Sequence, residues 1–235
     1  MEKRSVLQEI GTRMRHGDWE AASALIAEVS FESDDLIASG ILHCAAAHGA
    51  PSEILTQLVM NKGFDVNHVF EYYTPLIGAI RGSHYETGKS LVELGANVNL
   101  GVVASSRSYT QSPLHAAIVR YSRNMCLLLL KHGASTTSKD IHGYSPLIAA
   151  IKMGQSEIAE DIIKFNADVN ERVQKDETTP MIRAARRNLH CVPVFAGKRR
   201  QRESMSIRIT LRLSMVRHSL VAWTFADCSL KTALL

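Results

Sequence analysis

A short helix-start motif recurs along this chain at nearly constant spacing. It reads Thr-Pro-Leu-Ile at 74–77, Ser-Pro-Leu-His at 112–115, Ser-Pro-Leu-Ile at 145–148 and Thr-Pro-Met-Ile at 179–182, with a degenerate copy at 40–46. The second positions of successive copies are 34, 38, 33 and 34 residues apart. Such a period indicates a repeat architecture, in which each unit has apolar surface that only a neighbouring unit can cover.

A second motif follows the helix start at a fixed distance. Gly-Ala-Asn-Val-Asn occupies 95–99, Gly-Ala-Ser-Thr 133–136 and Asn-Ala-Asp-Val-Asn 166–170, and each begins 20 residues after the proline of its unit. Thr or Ser before Pro favours a helix start, whereas Gly followed by Asn or Asp favours a helix end and a turn. Each unit is therefore predicted to be a helix–turn–helix.

These two motifs and their spacing resemble the ankyrin repeat, with its Thr-Pro-Leu-His helix start and Gly-Ala-Asp-Val-Asn helix end. The resemblance implies an all-α solenoid of stacked helix-turn-helix units joined by β-turn or hairpin loops. We predict a degenerate N-terminal capping repeat at 4–36 and ankyrin repeats over 37–190. Their predicted bounds are about 37–70, 71–108, 109–141 and 142–175, with an incomplete unit at 176–194.

The chain after residue 194 departs from this pattern. Residues 191–235 hold 8 Lys/Arg and 2 Asp/Glu, whereas residues 1–190 hold 19 and 21. We predict that 195–235 form a basic tail outside the repeats, disordered or irregular in structure. The alternative is a change of reading frame near residue 195, which would have replaced further repeats by this sequence.

Several classes of function are disfavoured by what the sequence lacks. It has no nucleophile elbow, phosphate-binding loop or His-Glu-x-x-His motif, so we expect no enzyme activity and no cofactor. Four widely spaced cysteines predict neither a metal site nor a disulfide framework. No stretch approaches the roughly 20 apolar residues of a membrane span. We expect a monomer in the cytoplasm, with the nucleus as an alternative.

Some residues that could carry chemistry are interpreted as structural. His43 and His115 occupy the position of the family's structural histidine, so we expect them to form hydrogen bonds within the array. Cys44 stands among alanines and is interpreted as a core residue. Asp161, with its neighbour Glu160, is interpreted as part of a solvated helix face or a helix cap.

The resemblance implies that partners contact the turn tips and the two positions that close the first helix of each unit. At those helix ends a cation recurs in successive units, which predicts a row suited to an acidic segment of a protein partner. The predicted row consists of Arg81, Arg120, Lys152 and Arg186. At the turn tips, the predicted binding residues are Tyr72, Tyr109 and His142, whereas Tyr73 and Tyr144 are interpreted as packing residues.

The function that these features favour is a non-enzymatic protein-protein interaction module, an adaptor or scaffold. The alternative is a substrate-recognition subunit of a ubiquitin ligase whose recruiting box is missing or altered at the C-terminal end. Nucleic-acid binding through the basic tail is a third hypothesis. It is disfavoured because residues 1–190 are slightly acidic and the basic run at 198–202 has little aromatic interleaving.

Overall fold

The computed structural model describes residues 2–30, 36–103, 110–171 and 179–187. The chain divides after Cys191 into two units, and the described residues all belong to the first. The predicted tail at 195–235, and with it the reading-frame hypothesis, therefore lies outside the described residues.

The described part is helical apart from one short strand pair. The helices are α1 (Glu2–His16), α2 (Trp19–Glu28), α3 (Leu36–Ala47), α4 (Ser52–Thr56, continued by a π-helical turn at Gln57–Asn61), α5 (Pro75–Gly82), α6 (Tyr85–Glu93), α7 (Pro113–Val119), α8 (Arg123–Lys131), α9 (Pro146–Lys152), α10 (Ser156–Lys164) and α11 (Pro180–Arg186). The strands β1 (Val102–Val103) and β2 (Thr110–Gln111) pair antiparallel, with Val102 opposite Gln111.

The four proline-containing motifs all start helices. In each case the proline is the first helical residue, and the hydroxyl oxygen of the preceding Thr or Ser accepts a hydrogen bond from the backbone N–H three residues later, at 3.4–3.5 Å. This N-cap satisfies one of the amides that a helix start leaves unpaired, and proline needs no partner there. The capping residues are Thr74, Ser112, Ser145 and Thr179.

The helices pack in two layers. The first helices of successive units, α1, α3, α5, α7, α9 and α11, each contact the next one along the chain, and the second helices α4, α6, α8 and α10 do the same. Between the layers lie side chains that are almost fully buried, such as Leu76, Leu91, Leu114 and Leu129. The predicted fold class, an all-helical repeat array with hairpin loops, is confirmed.

Asparagine side chains connect the turn of one unit to the turn of the next. The Asn67 side chain accepts a hydrogen bond from the Asn97 amide at 2.7 Å and donates one to the Gly95 carbonyl at 3.3 Å. The Asn99 side chain repeats both bonds one unit later, to Ser135 at 2.8 Å and to the Gly133 carbonyl at 3.1 Å. These bonds satisfy backbone groups that a turn would otherwise leave unpaired, and they fix the register of neighbouring units.

At the N-terminal end, α1 and α2 form a helix pair, and α1 packs on α3. Ile10 and Met14 of α1 and Ala22 and Ile26 of α2 are completely buried. Their spacing of four residues places each pair on one face of its helix, so each helix buries one apolar stripe.

Candidate functional site

A residue with left-handed backbone closes the first helix in five successive units. These residues are Gly17, Gly49, Ser83, Tyr121 and Gly154, with φ of 75°, 81°, 62°, 57° and 77°. One or two positions before each of them lies a basic or imidazole side chain. These side chains belong to Arg15, His48, Arg81, Arg120 and Lys152, which we call the basic row.

Three members of the basic row are exposed and oriented by contacts within the array. The Arg81 guanidinium lies 5.5 Å from the centre of the Tyr73 ring, and Lys152 Nζ lies 4.6 Å from the centre of the Tyr144 ring. Arg120 donates from Nε and Nη2 to Ser83 Oγ at 3.4 and 3.2 Å. Helical side chains lean toward the N-terminus of their helix, and this brings Arg81 and Lys152 back over the tyrosine that precedes the cap.

A cation of the last described helix, outside the basic row, contacts the same tyrosine as Lys152. The Arg183 guanidinium lies 5.5 Å from the centre of the Tyr144 ring, so cations of α9 and α11 share one aromatic partner. Arg186, which the sequence predicts for this row, is the last residue of α11, and its side chain is outside the described part of the structure.

Three cations of the basic row form no ion pair with the described residues. Among the described residues, the cations of the ion pairs are Arg13, Lys89, Arg123, Lys139 and Lys164. None of those pairs includes Arg81, Arg120 or Lys152. Their contacts are two aromatic rings and a hydroxyl rather than carboxylates, so these contacts orient the cations without forming an ion pair.

Two of the predicted turn-tip residues are exposed. Tyr72 lies in the tight turn between Phe70 and Tyr73, with φ of 74° and 59% of its surface exposed. His142 is exposed in the next-but-one turn, where its backbone N–H donates to Asp140 Oδ1 at 2.8 Å. Tyr109, the third predicted residue, lies outside the described residues.

Comparison with known proteins identifies the family. The family model for ankyrin repeats (3 copies) matches residues 42–140 and 101–173, more than half of the chain. The chain belongs to the ankyrin repeat family. Ankyrin repeats bind protein partners, and this array is accordingly a protein-interaction module.

Individual ankyrin relatives resemble only part of the chain. An ankyrin repeat protein of fowlpox virus is 31% identical over 131 residues, which are 53% of this chain and 37% of the viral protein. The B-cell lymphoma 3 protein homolog of Mus musculus is 28% identical over 160 residues, 67% of this chain and 34% of that protein. Neurogenic locus notch homolog protein 4 of Homo sapiens is 32% identical over 96 residues, 40% of this chain and 4% of that protein. The match thus spans about a third of the first two relatives.

Sequence reasoning missed two members of the row and one aromatic neighbour. Arg15 and His48 follow helix starts that lack the motif proline, so an offset counted from proline does not reach them. Tyr121 is 63% exposed and adopts left-handed backbone directly after Arg120. The signal that could have identified them is the residue that closes each first helix, which is glycine in three of the five units.

The two candidate histidines form hydrogen bonds within the ankyrin array, as predicted. His43 Nε2 lies 3.0 Å from the carbonyl oxygens of both His68 and Tyr73. His115 Nε2 lies 3.0 Å from the Tyr144 carbonyl, and its Nδ1 lies 2.8 Å from Ser112 Oγ. Burial lowers the pKa of His115 from its ordinary value, which favours the neutral imidazole.

The predictions for Asp161 and Cys44 need correction. Asp161 is buried, and its carboxylate accepts hydrogen bonds from Arg123 at 2.7 Å and Lys164 at 3.1 Å. Burial alone would raise its pKa, but the hydrogen bonds and positive charges of Arg123 and Lys164 together outweigh burial and lower the pKa. Cys44 is half-buried rather than in the core, with Sγ 3.8 Å from His48 Nδ1. Burial raises the pKa of the Cys44 thiol, which disfavours a nucleophilic thiolate.

The described residues offer neither a metal site nor a membrane span. No group of three or more His, Cys, Asp or Glu side chains there could hold a metal ion. Likewise, no helix in that part of the chain is long and apolar enough to cross a membrane.

Proposed function

We propose that this ankyrin array is a non-enzymatic adaptor or scaffold that binds an acidic segment of a partner protein along the basic row. The observation that carries the proposal is the recurrence of a basic group at the same helix end in successive units. Three of its exposed members, Arg81, Arg120 and Lys152, make no ion pair with the described residues. A row of one charge sign attracts an oppositely charged segment and fixes its register.

The contacts of the row also reduce the entropy cost of binding. Arg81 lies over Tyr73, Lys152 lies over Tyr144, and Arg120 is bonded to Ser83. Side chains that are oriented before binding lose less rotamer freedom when a ligand arrives. At the turn tips, the exposed Tyr72 and His142 supply further contacts for the same segment.

The spacing of the units specifies a pattern in the partner. Packed helices lie roughly 8–10 Å apart. A polyproline-II segment rises about 3.1 Å per residue with three residues per turn, so one turn advances about 9 Å and returns a side chain to the same face. A carboxylate at every third residue would therefore meet one cation per unit.

The test uses a fluorescent peptide of about 15 residues with aspartate at every third position, one per row member. Its control is a scrambled peptide of the same composition. The protein variant replaces Arg81, Arg120 and Lys152 by glutamine. Its matched control replaces Lys89, Lys131 and Lys164, which lie on second helices, and loses the same charge.

We expect the row variant to weaken binding at low salt by tenfold or more and the second-helix variant to change it by less than about threefold. The periodic peptide should bind more tightly than its scrambled control. Equal losses in the two variants would mean that only net charge matters, and that result, like a lack of binding at low salt, would contradict the proposal.

The remaining hypotheses about function rest on other grounds. A ubiquitin-ligase role requires a recruiting box after residue 194, outside the described residues, and co-purification with a ligase scaffold protein would test it.

We also propose a cytoplasmic location, with the nucleus as the alternative. A fluorescent fusion found only inside a membrane-bound organelle would contradict both locations.

A further inference from the structure

A groove lies at the N-terminal end of the basic row. It has a volume of about 420 Å³, is open to solvent, and is bordered by α1, α3 and the turn that contains Phe70 and Tyr73. Leu7, Ile41 and Phe70 form apolar walls. Its volume lies within the range of roughly 300–1,000 Å³ that is typical of ligand pockets.

Two side chains that line the groove also belong to the basic row. Arg15 and His48, the first two members of the row, both line it. Arg15 is held along α1, with Nε 3.1 Å from the Gly11 carbonyl and Nη2 3.3 Å from Thr12 Oγ1. One carboxylate opposes them, since exposed Glu71 also lines the groove. The other titratable side chains in its lining are His43, Cys44 and Tyr73.

A glycine in the middle of α1 leaves this space open. Glycine in a helix interior costs about 1 kcal/mol relative to alanine. At Gly88 of α6 a Cβ would lie 2.5 Å from Cε of Met125, so the Met125 side chain would have to move. At Gly11 a Cβ would meet nothing within 4 Å. Packing within the chain therefore does not require glycine at this position, and the space beside it is part of the groove.

We propose that this groove binds an apolar side chain, such as phenylalanine, at one end of the acidic segment that the basic row recognises. The inference rests on the proposed function and adds an anchor to it. Phe70, Ile41 and Leu7 surround the apolar side chain, while Arg15 and His48 face the first carboxylates beside it. An aromatic anchor in a pocket next to a charged stripe is the arrangement that concentrates binding energy at protein interfaces.

The experiment uses the full chain and three acidic peptides with aspartate at every third position. One peptide carries phenylalanine at its amino end, one carries it at its carboxyl end, and the third has alanine at both ends. The first two peptides cover the two possible chain directions. The groove is blocked in Gly11→Leu, and Gly11→Ala is the matched control that adds only a methyl group and favours the helix.

We expect one phenylalanine peptide to bind the unmodified chain about tenfold more tightly than the alanine peptide. That difference should disappear in Gly11→Leu and remain in Gly11→Ala, while the alanine peptide binds all three proteins alike. Circular dichroism checks that Gly11→Leu is folded. In addition, the tighter phenylalanine peptide should slow alkylation of Cys44, which lines the groove, as read by mass spectrometry.

Two results would overturn the inference in distinguishable ways. If the phenylalanine and alanine peptides bind equally and neither protects Cys44, the groove is not an anchor site, although the basic row still binds acidic segments. If no peptide binds at low salt, the proposed function fails and the anchor fails with it.

Discussion

The interior units and the last described unit use the same helix-start motif but bury it differently. The third residue after the cap is 0% exposed at Ile77, 2% at His115 and 0% at Ile148, whereas Ile182 of α11 is 45% exposed. The N-cap hydrogen bond is nevertheless present in all four helices. The capped helix start is therefore present whether or not the apolar side chain of the motif is buried.

The difference shows which part of the stability is local. The cap is made within four residues, and it is the same wherever the motif occurs. Burial depends on neighbouring units, since α9 packs against both α7 and α11, while α11 packs against α9. In a solenoid of this kind, the energy of burial belongs to the contacts between units rather than to any one unit.

The largest expected effect is a difference in stability loss between alanine substitutions at Ile148 and at Ile182. Replacing Ile148 by alanine should cost about 2–4 kcal/mol, because the side chain is fully buried and leaves a cavity. The same substitution at Ile182 should cost less than about 1 kcal/mol, since that side chain is already half in water. Urea unfolding followed by circular dichroism measures both, and equal losses would show that the two positions do not differ in burial.

A smaller effect is expected from pH at His115, which occupies the same motif position. Burial lowers its pKa below 6.5. The unfolded chain therefore takes up a proton at a higher pH than the folded array does. The stability that neutral His115 contributes is present above pH 6.5 and is lost as pH falls through the lower pKa of the folded state.

The measurement is the urea midpoint between pH 7 and pH 5, in the unmodified chain and in His115→Ile, which copies the residue at Ile77 and Ile148. The unmodified chain should lose more stability over this range than the variant does. Parallel pH profiles would mean that the buried imidazole does not couple folding to protonation.

The smallest expected effect concerns the residue that closes the first helix. Tyr121 has φ of 57° where Gly154 has φ of 77° in the next unit. A left-handed conformation costs a non-glycine residue roughly 1–2 kcal/mol. Glycine avoids this strain, but it loses more backbone entropy on folding, which offsets part of the gain. Tyr121→Gly should therefore raise stability by about 0.5–1 kcal/mol, measured by thermal unfolding.

The reciprocal variant is Gly154→Ala, which should lose a similar amount, because a Cβ there meets nothing within 4 Å and only the backbone conformation opposes it. A gain in stability for this variant would contradict the interpretation that these turns differ in backbone strain.

Where the motif is complete, the sequence predicted the positions of the basic row, whose role in binding stays a prediction. Arg81, Arg120 and Lys152 follow from a fixed offset after proline, and the structure places their side chains on the surface. Arg15 and His48 were missed because α1 and α3 start without proline. They are assigned to the basic row because they lie just before Gly17 and Gly49, and the left-handed backbone of these glycines is seen only in the structure.

By itself, the sequence determined the repeat, the helix starts and the family, because a cap, a proline and a helix end act over a few residues and recur at a readable period. Only the tertiary structure decided which side chains meet across units. Asp161 is buried because Arg123, 38 residues earlier, reaches it from α8, and the groove beside Gly11 exists because α1 packs on α3. Such contacts depend on how one unit is set against the next, and that geometry is fixed by the whole packed interface.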